Sequence, residues 1–258
     1  MIREEVRDEH ILWLTLDEPS ALNAFDPESM AALARAWTRL RDDDALRVAV
    51  VTGAGERAFS VGSNLKTFIP RLQSGEMDPR ENQEAYMKGD LGPVFKPVVA
   101  AVNGDCLGGG MELLTCTDIR LTVPEARFGQ PECRWGVYPG GGGTTRLPRQ
   151  IGYVHAMDIL LTGRLLSAGE AIAMGLVNRI VGRDRLHEEA LAVARMIAGN
   201  GTLAVQRIKE AVWRQADLPL GAAYELESQL GEDVFHSAEA AEGLAAFSEK
   251  RQPAFRLG

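Results

Sequence analysis

The sequence predicts an α/β protein with a mostly parallel sheet and a helical C-terminal segment. Three short β-rich runs, at 48–52, 97–103 and 119–123, are separated by stretches with helical spacing. Strands that alternate with helices usually pair in parallel. Beyond Gly152 the pattern is almost wholly helical. At 258 residues one core holds most of the chain, since single cores stop growing at roughly 250–300 residues.

The elements follow in order. The first 22 residues read as a strand, a charged turn and a second strand, with 11–16 the clearest apolar run. Asp26-Pro27-Glu28 supplies an N-cap, a proline at the first helical position and an early acid. Met30, Leu33, Ala34, Trp37 and Leu40 then recur at helical spacing, which predicts an amphipathic helix over 27–41. Residues 42–44 form a solvated turn, and the buried strand at 48–52 closes at Gly53. A second buried strand at 97–103 leads into a glycine cluster and the helix-like MELLTCTD. A third strand covers 119–123, and after Gly152 about four helices are expected around a short 177–181 strand. Residues 70–92 are polar and carry Gly75, Pro79, Gly89 and Gly92. They read as a loop with one short helix, or as one wall of a ligand pocket.

Composition narrows the class. The chain is 45% hydrophobic and 25% charged, as in ordinary globular domains. A net charge of −8 argues against a nucleic-acid surface, which would show a basic excess. It leaves room for an anionic ligand held by a few local positive groups. Cys106, Cys116 and Cys133 are too few and too irregular for a disulfide framework or a zinc site. They read as reduced thiols of a cytoplasmic protein. No apolar stretch approaches the roughly 20 residues of a membrane span. The acidic N-terminus runs into a strand pattern instead of a targeting peptide.

Three glycine-containing turns carry the chemistry: AFSVGSNLK at 58–66, NGDCLGGGMEL at 103–113 and GVYPGGGGTTRLP at 136–148. Gly108-Gly109-Gly110 lies between a strand and a helix, where backbone N–H groups can approach negative oxygen. Neither a Walker pattern nor GxGxxG spacing is present, so a nucleotide-binding reading fails. The glycines at 140–143 read more readily as a flexible or tightly packed loop than as a ligand cradle. Glu112, two residues past Gly110, reads alone as an acid favoured by a helix N-terminus. Glu132, after Gln130-Pro131, reads alone as a surface loop acid on an extended approach.

In this order, AFSVGSNLK, NGDCLGGGMEL and FGQPECRWGVYPGGGGTTRLPRQIG resemble the crotonase, or enoyl-CoA hydratase/isomerase, superfamily. LLTGRLLSAGEAIAMGLVNRIV and EGLAAFSEKRQPAF extend the resemblance over essentially the whole chain. It implies a ClpP/crotonase spiral of ββα units, with a core over 1–195 and a helical trimerisation segment over 196–258. It implies that the N–H groups of Ser63 and Gly109 hold a thioester oxygen, that Glu112 activates water and that Glu132 protonates C2. Gly140 matches the position whose backbone holds the catalytic region in place.

For coenzyme A, the resemblance implies that backbone around Ala21 and Ala24 meets adenine and pantetheine. Ser60, Gly62, Asn64, Leu65 and Lys66 form the adjoining wall, with Lys66 near a phosphate. An acyl-CoA thioester is then the substrate, no separate cofactor is expected, and the assembly is a homotrimer or a dimer of trimers. Neither nucleic acid nor membrane is a partner. Phe255 and Arg256 are candidates to reach a neighbouring site.

Asn64 replaces a common aspartate, and Cys133-Arg134-Trp135 stands where many hydratases have aliphatic residues. Arg134 and Trp135 are either surface and packing residues or determinants of the acyl pocket. Paired glutamates favour a hydratase. A Δ3-to-Δ2 isomerase, which can shuttle its proton on one glutamate, and an inactive CoA-thioester-binding member are the alternatives.

Overall fold

The computed structural model describes residues 1–76 and 94–255. Its strands are Ile2–Arg7 (β1), Ile11–Leu16 (β2), Val48–Gly53 (β3), Ala58–Ser60 (β4), Val98–Val102 (β5), Asp105–Leu107 (β6), Ile119–Thr122 (β7), Arg127–Gly129 (β8), Leu166–Ser167 (β9) and Arg179–Ile180 (β10). Its helices are Pro27–Asp42 (α1), Leu65–Gln73 (α2), Gly109–Leu114 (α3), Gly143–Gln150 (α4), Tyr153–Thr162 (α5), Ala168–Ala173 (α6), Leu186–Ala198 (α7), Thr202–Gln215 (α8), Leu220–Phe235 (α9) and Ala238–Glu249 (α10).

Two sheets divide these strands. One has the order β1-β2-β3-β5-β7-β10, and the other β4-β6-β8-β9. Among the described residues only the β1–β2 and β8–β9 pairs are antiparallel. Every residue of β2, β3 and β5 is buried. Covered on both faces, such strands read as continuous apolar runs instead of alternating ones. The chain passes repeatedly from the first sheet into the second and on into a helix: β3-β4-α2, β5-β6-α3, then β7-β8 and a 3₁₀ turn. This is the ββα spiral that the resemblance implied.

The repetition positions the site. β4, β6 and β8 lie side by side and parallel, so the turns that leave their C-terminal ends emerge at one edge. Those turns carry Ser63, Gly109 and Glu132.

α1 begins as its sequence predicts. The Asp26 carboxylate accepts from the Ser29 N–H and Ser29 Oγ accepts from the Asp26 N–H, a reciprocal cap. Its buried stripe is Met30, Leu33, Ala36, Trp37 and Leu40. Each large side chain removed from water there stabilises the fold by about 1.5–3 kcal/mol. Two buried amides pin the β3–β4 turn. Asn103 accepts from the Gly53 N–H and donates to Gly55 O and Ala58 O, while Asn23 donates to Ala54 O and Ala58 O.

Some expectations are corrected. The helix after the glycine cluster ends at Leu114, not near residue 118. Thr115 and Thr117 hydroxyls donate to the carbonyls of Glu112 and Leu114, which stops the helix by competing for its backbone. Six helices follow Gly152, not four. Left-handed Gly163 caps α5, and a Ser167–Glu170 capping box starts α6. The glycines at 141–143 are buried, which fits the tightly packed form of the loop reading. The expected 70–92 loop is helical up to Gln73, and most of the rest lies outside the described residues, as does Arg256. Among the described residues no helix is long and apolar enough to cross a membrane.

Candidate active site

Two backbone N–H groups face each other across adjoining turns. The segment 22–25 runs alongside 61–64: Val61 N–H donates to Leu22 O (3.3 Å), Phe25 N–H to Gly62 O (2.8 Å) and Asn64 N–H to Phe25 O (3.2 Å). This pairing uses the amides on either side of Ser63. The Ser63 N–H donates to no protein acceptor among the described residues. Gly109 opens α3, where the first N–H groups have no partner inside the helix, and its N–H is likewise undonated among the described residues.

Close approach explains the glycines. Gly62 has φ +84, and a Cβ there would lie 2.5 Å from the Gly109 nitrogen. Gly108 has φ +55, and a Cβ there would lie 3.3 Å from Glu132 Oε1. Both positions need a residue without a side chain, for conformation and for space.

The acids come next. Glu112, on α3, is 5% exposed, and its Oε1 accepts from the Gly143 N–H at 3.1 Å. Burial pushes its carboxyl up to about 7, against the opposing pull of the Gly143 amide, the Arg146 guanidinium and the Gly141 amide. Glu132 is half-buried in the 3₁₀ turn Pro131–Trp135, not on an extended surface loop. Burial raises its carboxyl to about 7 as well, with the Glu112 charge adding to the effect. One atom of the buried Gln130 side-chain amide lies 3.0 and 3.1 Å from the two Glu132 oxygens; assigned as the nitrogen, it donates to both.

Both acids and both amide turns line one cleft of about 460 Å³. The rest of its wall is mainly apolar: Phe68, Leu72, Leu107, Trp135, Val137 and Tyr138. Two carboxyls held near neutrality and a pair of unpaired N–H donors can transfer protons beside a developing oxyanion.

The sequence profile of the enoyl-CoA hydratase/isomerase family matches residues 7–257. The chain belongs to this family. It is 39% identical over 252 residues to enoyl-CoA hydratase EchA19 of Mycobacterium tuberculosis, covering 96% of this chain and 93% of that one. It is 38% identical over 253 residues to (E)-benzylidenesuccinyl-CoA hydratase of Thauera aromatica, covering 96% of each. Among solved structures, an enoyl-CoA hydratase/isomerase described as putative from Mycobacterium abscessus superposes with a TM-score of 0.90 at 39% identity, over 100% of this chain and 99% of the other.

Within this enoyl-CoA hydratase/isomerase fold the remaining site residues divide. Leu65 and Gly140 line the cleft with Ser63. Ser60 does not present a wall: it is fully buried and its Oγ accepts from the Gly62 N–H (3.1 Å), bracing the turn from behind. Asn64 Oδ1 accepts from the Lys66 N–H (3.1 Å) and caps α2, so asparagine does the loop-shaping work at this position. Lys66 is exposed, and Ala21 and Ala24 sit on the segment bonded to the Ser63 turn. The amide on the Glu112 carboxylate is that of Gly143, three residues beyond Gly140.

Arg134 and Trp135 also part company. Trp135 lines the cleft, whereas the Arg134 stem packs against Gly163, where a Cβ would lie 2.6 Å from its Cγ. Residue patterns noted Gly143 only as part of a loop and Gln130 only as the residue before Pro131, and gave Arg146 no role. Gln130 and Arg146 stand in runs already notable, FGQPE and GTTR, but a polar side chain's target is invisible until the chain is folded.

Proposed function

We propose that this family member is an enoyl-CoA hydratase, adding water reversibly across the 2,3-double bond of a 2-enoyl-CoA thioester to give a 3-hydroxyacyl-CoA. The observation that carries this reading is the pairing of two near-neutral carboxyls, Glu112 and Glu132, with the undonated Ser63 and Gly109 N–H groups in one cleft. An isomerase needs one acid to shuttle its proton; hydration uses two.

In this mechanism the thioester oxygen lies between the Ser63 and Gly109 N–H groups. The Glu112 carboxylate takes a proton from water as the water oxygen bonds to C3. The C2–C3 π electrons move toward the carbonyl, and the enolate oxygen that forms is held by the two N–H donors. The Glu132 carboxylic acid then delivers its proton to C2 on the same face, giving syn-addition. Glu112 ends protonated and Glu132 ionised, and one proton exchange restores both. Each step is a proton transfer or an addition to an activated alkene, so the reading calls for no cofactor beyond the substrate's own coenzyme A.

The same reading places coenzyme A along the Ala21–Ala24 backbone and the turn formed by Gly62, Ser63 and Asn64, with exposed Lys66 within reach of a phosphate. It assigns α8–α10 to assembly as a trimer or pair of trimers, since Ile208, Val212 and Trp213 leave an apolar stripe of α8 largely exposed. Relatives of nearly equal identity are named for different acyl groups, (E)-benzylidenesuccinyl-CoA hydratase at 38% and carnitinyl-CoA dehydratase at 36%, so the acyl group is a matter for assay. Crotonyl-CoA is the first substrate to test. Decay of its conjugated-enoyl absorbance on adding enzyme supports hydration; an unchanged absorbance across a chain-length series contradicts it.

A further inference from the structure

The carboxylate of Glu112 is held by Gly143, but something must hold Gly143. One turn along α4 from Gly143, the Arg146 side chain reaches back over the loop. Its guanidinium lies against Gly142, where a Cβ would sit 2.6 Å from Cζ and both terminal nitrogens. Gly142 itself has φ +106, a conformation that favours glycine. Arg146 Nη2 donates to Gly141 O at 2.6 Å and to Glu112 O at 3.4 Å. Arg146 Nε donates to Thr115 Oγ1 at 3.2 Å, and that hydroxyl donates to the same Glu112 carbonyl at 2.8 Å.

Glu112 is therefore tied at both ends, its carboxylate to Gly143 and its carbonyl to Arg146, Thr115 and the Cys116 thiol, whose Sγ donates at 3.3 Å. We propose that Arg146 is a positioning residue for the hydration reaction: its planar guanidinium bridges the glycine loop to the backbone of Glu112, setting the Gly143 amide and the Glu112 carboxylate in register. The proposal rests on the hydratase reading for its kinetic consequence, though not for its geometry. A planar fork with several donors suits this bridge, and a lysine ammonium does not reproduce it. Gln150, on the same face of α4, makes an independent tie by donating to Thr115 O at 2.7 Å. The helix contact is therefore expected to survive loss of Arg146.

A residue that merely stabilised the fold would leave the ionisation of Glu112 unchanged. Arg146 predicts otherwise. The charged and titratable groups around Glu112 are Arg146 from α4, Glu132 from the 3₁₀ turn and the half-buried Cys116 thiol just beyond α3. Arg146 is the positive one acting on the carboxyl, so its removal disfavours the ionised form. The acid limb of kcat, which follows ionisation of the base Glu112, should then move to higher pH.

The test compares Arg146→Met and Arg146→Lys with wild type, after thermal melts show that each is folded. Methionine should lower kcat at least tenfold with KM changed less than about threefold, and raise the acid limb by about one pH unit or more. Lysine should return the limb close to its wild-type position while leaving kcat depressed. Wild-type kcat in either variant, or a depressed kcat with an unmoved limb in the methionine variant, overturns the proposal. If the methionine variant does not fold, the lysine variant decides by its kcat.

A second readout separates this proposal from the hydratase reading. In a Glu132→Gln background, ¹³C-carboxyl NMR follows Glu112 directly. An upward shift on Arg146→Met supports the bridge even if no enoyl-CoA is turned over; an unmoved titration rejects it even if hydration is found.

Discussion

The Gly143 N–H donates to the Glu112 carboxylate at 3.1 Å while Glu112 stays almost fully buried. The Gly143 and Gly141 amides and the Arg146 charge together do not offset the loss of water around the carboxylate, and the group remains raised to about 7. This imbalance prepares Glu112 to change protonation state near neutral pH.

The first prediction concerns stability and follows from that imbalance. A buried carboxyl raised from its ordinary 4.5 to about 7 binds its proton more tightly in the folded state than in the unfolded state. Stability is therefore lost as pH rises from about 4.5 through about 7. The full difference is worth roughly 3 kcal/mol, at about 1.36 kcal/mol per pH unit. Glu112→Gln keeps an oxygen for the Gly143 amide and removes the charge. Thermal melts should show this variant more stable than wild type at pH 8, with the gap closing at pH 4. A gap independent of pH would contradict the assignment.

The oxyanion turns make the second. Gly62→Ala places a methyl 2.5 Å from the Gly109 nitrogen and strains a backbone at φ +84. Loss of one such donor costs roughly 10²–10³ in rate, so kcat should fall by that order. Gly169→Ala, which lies outside α8–α10 and meets only Ser167 Oγ at 3.9 Å, should leave both kcat and the fold intact. Equal effects of the two substitutions would remove Gly62 from the site.

Trp135 and Arg134 supply the third. Trp135→Ala enlarges the apolar wall of the cleft and should change the ranking of kcat/KM across acyl-CoA esters of different size by tenfold or more. An apolar pocket typically discriminates one substrate methylene by about 1–3 kcal/mol, so reshaping this wall re-ranks esters that differ in size. Arg134→Ala, outside the cleft lining, should leave that ranking unaltered. A ranking that follows Arg134 instead would reverse the division.

Much of this was legible in the sequence, for physical reasons that differ by element. β2, β3 and β5 announced themselves because strands covered on both faces must be apolar throughout. α1 announced itself through Asp26-Pro27 and its apolar spacing. Helix ends were less legible. α3 stops at Leu114 because threonine hydroxyls capture carbonyls, and periodicity does not register that competition. The helices after Gly152 were undercounted because short elements such as α6 have too few turns to show a period. Within the site, Ser63, Gly109, Glu112 and Glu132 were singled out by the family resemblance that the ordered motifs carry. The bracing roles of Gln130, Gly143 and Arg146 were not, because each depends on partners brought near only by folding.

The central claim, that two carboxyls share the addition of water, is tested most directly in isotopically labelled water. Wild type, Glu112→Gln and Glu132→Gln would each be incubated with a series of 2-enoyl-CoA thioesters in H₂¹⁸O, with products followed by mass spectrometry. Wild type should yield a 3-hydroxyacyl-CoA bearing one labelled oxygen. Each variant should bind the thioester yet form product slower by roughly 10²–10⁴, the usual contribution of a positioned acid or base. Label incorporated at the wild-type rate by either variant would contradict the two-carboxyl account.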